Sequence, residues 1–443
     1  MHSKVKKIFL LVLGLFLIAF TVFGCDEKEQ INWDSDQPKV AYMRLQKQVG
    51  GRYFYCLGVG TFEGNTQINS DRCIALSLGT QEDVVFYEIY KKGVNTRNSD
   101  LYILNNKGES MLFAEDIGFY LLGEGGHTIT YNISKTLNFV FMEYTPEGDV
   151  VSEDLIENDI GVYSTEMNSK GDILLLGMFR DENDDDYSWA NIYLYKDGQK
   201  KKIVDNAYLS LREKSVSNEG TVLYITDAIS ANDDERIGTL YRKTLDGDAI
   251  KVVEASTREF TISNDGELVV SVVKDKDGNE TLFYQYVGQD PVYVENIVQY
   301  EMSRDSNILY YAVGDTSDWE LELYKVKKGT KPELVTDNIA KIAALSLDGK
   351  CVAFLTNIDS STELSDLYIA REGEEQELVD SGVPYSEYNG KMLDKGVELN
   401  NDGTTIAYRK NNDDSMFAYL YVKQEGEPPV LIDKDVIDFI FLR

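Results

Sequence analysis

Ser263-Asn264-Asp265-Gly266 opens the apolar run Leu268-Val269-Val270-Ser271-Val272-Val273, which leads on to Leu282-Phe283 and, five residues later, Gly288. The mark reads as a tight turn and the runs as strands, with the second Gly supplying the positive φ of another short turn. The same turn recurs at Asn168-Ser169-Lys170-Gly171, Ser217-Asn218-Glu219-Gly220, Ser346-Leu347-Asp348-Gly349 and Asn400-Asn401-Asp402-Gly403, while Ser303-Arg304-Asp305-Ser306 carries Ser in the Gly place. Successive marks are 49, 46, 40, 43 and 54 residues apart, the length of a four-stranded propeller blade. Each is followed by an apolar-aromatic pair, Ile192-Tyr193, Leu240-Tyr241, Leu282-Phe283, Leu323-Tyr324, Leu367-Tyr368 and Leu420-Tyr421, and then by Gly198, Gly247, Gly288, Gly329, Gly373 and Gly426.

Upstream, Val84-Val85-Phe86-Tyr87, Leu101-Tyr102 and Gly108 make one more copy, and Ser134 with Phe139-Val140-Phe141 starts a degenerate one ending near Leu155-Ile156. The expectation is an all-β chain forming a single β-propeller of seven or eight four-stranded blades, eight by repeat count. The terminal run Val436-Ile437-Asp438-Phe439-Ile440-Phe441 is expected to pair with strands from residues 40 to 57 and close the ring, removing exposed sheet edges. No 12-residue window sustains a 3.6 period, so helix should be nearly absent.

The turns Ser263-Asn264-Asp265-Gly266-Glu267 and Ser346-Leu347-Asp348-Gly349-Lys350, with the downstream Leu-Tyr pairs, resemble TolB-like, WD-repeat-like propellers over roughly residues 80 to 443. The resemblance implies the fold. Proteins of this type include periplasmic scaffolds, the propellers of prolyl-oligopeptidase-type peptidases and surface lipoproteins, so it implies no one activity.

Residues 1–24 read as a signal peptide: Lys4, Lys6 and Lys7, the apolar run Ile8 to Phe23, then Gly24 before Cys25. Val22-Phe23-Gly24-Cys25 resembles the bacterial lipoprotein signal, which implies lipidation at Cys25. Phe23 stands where a small residue is usual. Residues 25–38 form a polar tether and 39–443 the propeller domain. These features place the mature chain on the extracytoplasmic face of the cell membrane, held by its N-terminal lipid.

The sequence carries 76 Asp and Glu against 44 Lys and Arg, a net charge of -32, which becomes -35 without the signal. Such a surface repels phosphates, so nucleic acid is excluded as a partner. There is no Gly-x-Ser-x-Gly elbow, and the mature chain retains one histidine, His127, which reads as a surface loop residue. No enzymatic activity and no resident cofactor are expected.

The acids gather between each Ser-x-x-Gly mark and its Leu-Tyr pair. Asp181, Asn183, Asp184, Asp185 and Asp186 fall in one such hairpin, Asp233 and Asp234 in the next, then Asp275 with Asp277, Asp315 with Asp318, Asp359 with Glu363, and Asp413 with Asp414. In a propeller these hairpins leave one face, giving an electronegative ring for a basic surface or a cation. Asp181, Asn183 and Asp185 have the alternating oxygens of a calcium loop, and Asp275-x-Asp277-Gly278 a shorter version; neither has the closing Glu of an EF-hand. The blander reading is a solvated set of polar tips. Trp189 and Trp319 open third strands beside two of these hairpins, as sugar platforms or as packing between blades. Cys56 and Cys73 could pair outside the cell, and Cys351 reads as a buried strand residue.

Two functions fit this reading. One is a lipid-anchored binding or scaffold module for a protein, peptide or glycan partner at the cell envelope. The alternative is a carboxylate-dependent enzyme, a glycoside hydrolase or lyase, working on extracellular carbohydrate from the central channel.

Overall fold

The computed structural model describes residues 39–441 except 50–51, 62–63, 68–77, 82–83, 91–98, 106, 124–126, 134–137, 158–161, 179–189, 211–213, 233–234, 304, 306, 316–319, 360, 386–395 and 412–417. Among the described residues there are 32 strands, no helix, and six antiparallel sheets in a β-propeller arrangement. Cys25, the signal segment and the tether lie outside the described residues.

Three sheets are single four-stranded units: Val162–Met167 to Gln199–Ala207, Ile297–Ser303 to Glu333–Ile339, and Lys341–Leu345 to Glu377–Pro384. The other three are double. In each, one long strand serves as the fourth strand of one unit and then, beyond a change of partner, as the first of the next. Ser110–Leu122 pairs with Ser99–Leu104 and then Thr128–Ile133. Ile250–Ile262 pairs with Glu235–Lys243 and then Leu268–Lys274. Val430–Phe441 pairs with Ala418–Gln424 and then with Val40–Val49, so that Val40 faces Phe441.

Divided at these switches, the sheets of the described residues give nine units, numbered here from the one that holds Val40–Val49; the expected count of seven or eight blades is not shown. The missed unit consists of residues 436–441, Val40–Val49, Arg52–Thr61 and Gly64–Gln67. Its strands come from both chain ends, so no turn joins its first and second strands and no Ser-x-x-Gly mark exists to be counted. Unit five is irregular too: its first strand is reduced to bridges from Tyr208 to Ile225 and from Val216 to Val222.

The Leu-Tyr series falls on third strands. Its Leu is fully buried, as at Leu101, Leu240, Leu323, Leu367 and Leu420. Its Tyr stacks on an aromatic of the second strand: Tyr87 with Tyr102, Tyr224 with Tyr241, Tyr311 with Tyr324, Phe354 with Tyr368, and Tyr408 with Tyr421, centroids 5.5–6.0 Å apart. Such pairs contribute about 0.5–1.5 kcal/mol beyond area burial. Leu112, Leu334, Leu378 and Leu431 stand opposite Tyr102, Tyr324, Tyr368 and Tyr421 on the fourth strands and are half-exposed. They end cross-strand rows rather than forming one apolar patch.

Candidate functional site

The two faces of the propeller are built differently. The Ser-x-x-Gly turns lie on one of them, and their first side chain closes the turn. Ser217 Oγ accepts from Thr221 N, Ser263 Oγ from Leu268 N and Ser346 Oγ from Cys351 N; Asn168 Oδ1 and Asn400 Oδ1 accept from Ile173 N and Thr405 N, all at 2.9–3.0 Å. This explains why the position is Ser or Asn. The third residue adds a second tie where it is Asp. Burial opposes ionisation of Asp265, Asp348 and Asp402, but donation from Glu267 N, Lys350 N and Thr404 N prevails and holds each carboxyl below its ordinary range.

Turns of different units are also tied together. Ser169 Oγ donates to Asn264 Oδ1 at 2.6 Å, Asn218 N to Asn264 O at 2.7 Å, Asn307 Nδ2 to Asp265 Oδ2 at 2.6 Å, and Ser303 Oγ to Leu347 O at 2.6 Å. In the copy with Ser306, the positive φ has moved to Asn307, at 55°. Fit as well as φ fixes glycine here: a Cβ on Gly171 would lie 1.7 Å from Thr128 Oγ1, and one on Gly403 2.3 Å from Cys351 Sγ. Several turns between third and fourth strands are open by contrast, with nothing within 4 Å of a Cβ on Gly198, Gly288, Gly373 or Gly426, although one on Gly148 would lie 2.6 Å from Met111 Cε.

The hairpins between second and third strands leave the opposite face. Of the acids expected to form a ring there, Asp181, Asn183, Asp184, Asp185, Asp186, Asp233, Asp234, Asp318, Asp413 and Asp414 lie outside the described residues, as do Trp189, Trp319 and Cys73. Asp275, Asp277 and Asp315 are described and exposed. Asp275 is occupied by its own turn: Asn279 Nδ2, Asn279 N and Asp277 N donate to its carboxylate at 2.8–2.9 Å. The Asn279 side chain first, then these backbone groups, hold its pKa down. This carboxylate closes a hairpin. Asp359 does the same with Ser361 N and Oγ. Among the described residues, no three His, Cys, Asp or Glu side chains cluster closely enough to hold a metal ion.

His127 is half-buried and packs edge-on against Tyr144, centroids 5.4 Å apart, rather than standing on the surface. Cys351 is buried, as expected.

A cavity of about 380 Å³ lies where the chain ends meet, lined by Arg44, Leu45 and Leu431 to Asp435. Asp433 organises it. Tyr42 Oη donates to Asp433 Oδ2 at 2.8 Å, Arg44 Nη1 reaches both carboxylate oxygens at 3.0–3.1 Å, and Arg44 Nε donates to the buried Cys56 Sγ at 3.4 Å. Burial first, then the Asp433 charge, pushes the Tyr42 hydroxyl far above its ordinary pKa. Lys434 lies 5.4 Å over the Tyr419 ring. The charged groups of this cavity hold one another.

No protein-family model and no curated protein matches this chain. Its fold, however, is shared. A eukaryotic initiation factor superposes with a TM-score of 0.59 at 8% identity, over 92% of this chain and 99% of that one. The propeller domain of the Trilobed protease from Pyrococcus furiosus gives 0.40 at 12% identity, over 80% and 98%. Pyrococcus horikoshii acylaminoacyl peptidase gives 0.39 at 14%, over 80% and 58%. At these identities the likeness is one of fold alone.

A fourth repeated mark escaped the sequence reading. Where a fourth strand turns into the next first strand, one residue takes φ of 52–73°: Asp116, Asn206, Ala255, Asn296, Asn338, Gly382 and Asp435. From Asn206 onward the spacing is 49, 41, 42, 44 and 53 residues, the same rhythm as the turns. Asn, Asp and Gly suit this corner because they tolerate the left-handed region. Their abundance in so acidic a chain hides the signal.

Proposed function

We propose that the chain is a lipid-anchored, extracytoplasmic lipoprotein of the TolB-like type, its ring of nine units closed by the two termini, acting as a binding or scaffold module at the cell envelope. The asymmetry of the faces carries this reading. One face is knitted shut by turn-to-turn hydrogen bonds; the other is made of hairpins that differ in length and charge from unit to unit, as a recognition surface requires. Cys25 is the lipid attachment site, and a protein, peptide or glycan partner meets the hairpin face. The acids of residues 181–186, 233–234, 315–318 and 413–414 draw the partner in by charge, and calcium is the cation their oxygens would take.

The test is capture from envelope extract by the full chain, with and without calcium, beside fractionation of Cys25→Ser. Retention of a defined partner and release of Cys25→Ser from membranes are expected. Turnover of a glycan with no retained partner overturns the binding reading, and an unchanged membrane fraction overturns the anchor.

A further inference from the structure

The fourth strands of the units are the outer edges of the sheets, and most of these edges are broken. Ser110–Leu122, Gln199–Ala207, Ile250–Ile262, Glu333–Ile339, Glu377–Pro384 and Val430–Phe441 each change register twice against the third strand beside them. Such bulges twist an edge and spoil it as a template for another strand. Gly64–Gln67 and Val292–Glu295 run without a shift but are only four residues long. The outer strand of unit three, Val150–Ile156, is the exception. Its one shift falls at its start, and Ser152 to Ile156 lie opposite Glu143 to Phe139 in unbroken register. No described strand lies on its other side.

Its side chains set it apart as well. Residues 150 to 155 are all exposed, Val150 to 51%, Val151 to 61% and Leu155 to 52%. Among the described residues, no other strand carries three large apolar side chains so open to solvent. Lysine, the usual guard of an edge, is missing here. No Lys or Arg occurs between residues 138 and 169, whereas Glu147, Asp149, Glu153, Asp154 and Glu157 lie in or beside the strand. The register puts Glu153 and Leu155 on one side of the sheet, opposite Met142 and Val140. Asp154 is on the other, opposite Phe141, where it accepts from Tyr195 Oη at 3.0 Å. A strand laid along this edge meets a carboxylate on each side and an apolar neighbour next to it.

We propose that residues 150–155 are a docking edge that takes up an extended, basic segment of a partner polypeptide as one further strand of the unit-three sheet. The site is on the rim and does not depend on the partner proposed for the hairpin face. Charge selects the occupant. Two copies of this chain joined edge to edge would set Glu153 and Asp154 against their own counterparts, which is unfavourable. The one lysine-rich outer strand, Gln199–Ala207, is already engaged within the molecule: Lys200 Nζ donates to Glu157 O at 3.2 Å, Lys201 pairs with Asp246 and Lys202 with Asp205. It also carries the double register shift. A basic segment from another protein therefore fits this edge better than a second copy.

The test titrates the full chain, held in non-ionic detergent, into a fluorescent, end-capped peptide of alternating Val and Lys, about seven residues long, and follows anisotropy. One control peptide has Glu in place of Lys. The other keeps Lys but is methylated at every backbone nitrogen, which retains the charge and removes the ladder donors. Saturable binding of the Val-Lys peptide, at least about tenfold tighter than either control, is expected. The double variant Glu153→Lys and Leu155→Lys should weaken it by at least about tenfold with an unchanged strand signal in circular dichroism. Glu333→Lys with Leu334→Lys, on the outer strand of unit seven, should leave it within about twofold. Absence of saturable binding, equal binding of the methylated peptide, or equal loss in the two variants overturns the proposal. So does self-association of the chain, seen by sedimentation, that the first variant abolishes.

Discussion

The junction between units eight and nine and the seam between units nine and one use one clamp twice. At the first, Asp380 accepts from Tyr408 Oη at 2.8 Å and from Lys410 Nζ at 3.0–3.1 Å. At the seam, Asp433 accepts from Tyr42 and Arg44 at the same distances. Both aspartates stand two residues before a left-handed corner, Gly382 or Asp435. The aromatic and the cation sit two apart on the next second strand. The seam is thus an ordinary junction made from distant chain: Tyr42 and Asp433 are 391 residues apart, Tyr408 and Asp380 only 28. Two differences remain. The seam cation is Arg, whose fork spans a carboxylate and a thiol together, and its inner side is tied as well, with Glu398 accepting from Phe441 N at 3.0 Å and Arg409 donating to Ile437 O. The junction between units eight and nine is tied beyond its clamp as well, with Glu377 accepting from Lys423 Nζ and Asn401 O from Asp348 N at 3.3 Å, so the two differ in which groups hold them and not in whether they are held.

The largest expected effect breaks that comparison. Asp433→Ala leaves Tyr42 and Arg44 without their shared acceptor and should cost about 3 kcal/mol, read as a lowered urea midpoint. Asp380→Ala, at a more exposed site, should cost about 1–2 kcal/mol. Equal losses would mean that the deeper burial of Asp433 adds nothing to its clamp. A second contrast lies between turns: Gly171→Ala, strained in φ and in contact with Thr128, should cost about 2–4 kcal/mol, against about 1 kcal/mol for Gly373→Ala, where φ alone opposes the change. Thermal midpoints of the two variants decide it.

Smaller effects sharpen the picture. Ala255 sits at a corner with φ 57° where the other corners carry Asn, Asp or Gly. Ala255→Gly should raise stability by about 0.5–1 kcal/mol, seen as a higher unfolding temperature, whereas Gly382→Ala should lower it. The smallest effect is a pH slope. Asp265, Asp348 and Asp402 have depressed folded-state pKa values, so their stabilisation is present above the ordinary carboxylate range near pH 4 and fades as pH falls through the folded values. Asp348→Asn should flatten the loss of stability between about pH 4 and 2 relative to the parent chain.

The repeat was legible because its marks are set by local chemistry. A turn that needs positive φ takes Gly, and one closed by a side-chain oxygen takes Ser or Asn, so Ser263 and Gly266 announce themselves. The Leu-Tyr pairs were legible for the same kind of reason, although the partner of each Tyr, an aromatic across the second strand, was not. The terminal unit escaped counting because its turn does not exist in the chain, and the corners escaped because Asn and Asp are common throughout this chain. Spacing showed Asp275 and Asp277 near one another but not that Asn279 donates to the Asp275 carboxylate, a contact only the folded hairpin displays.

The sequence by itself determined the all-β repeat, its period, the acidic balance and the N-terminal signature, all of which depend on residues within one unit or one segment. Tertiary structure alone decided which strands the two chain ends share, that turns of different units knit one face, and that Tyr42 and Arg44 meet Asp433. These are relations between residues tens to hundreds of positions apart, and no local preference encodes which distant carboxylate a tyrosine will find until the sheets are stacked side by side.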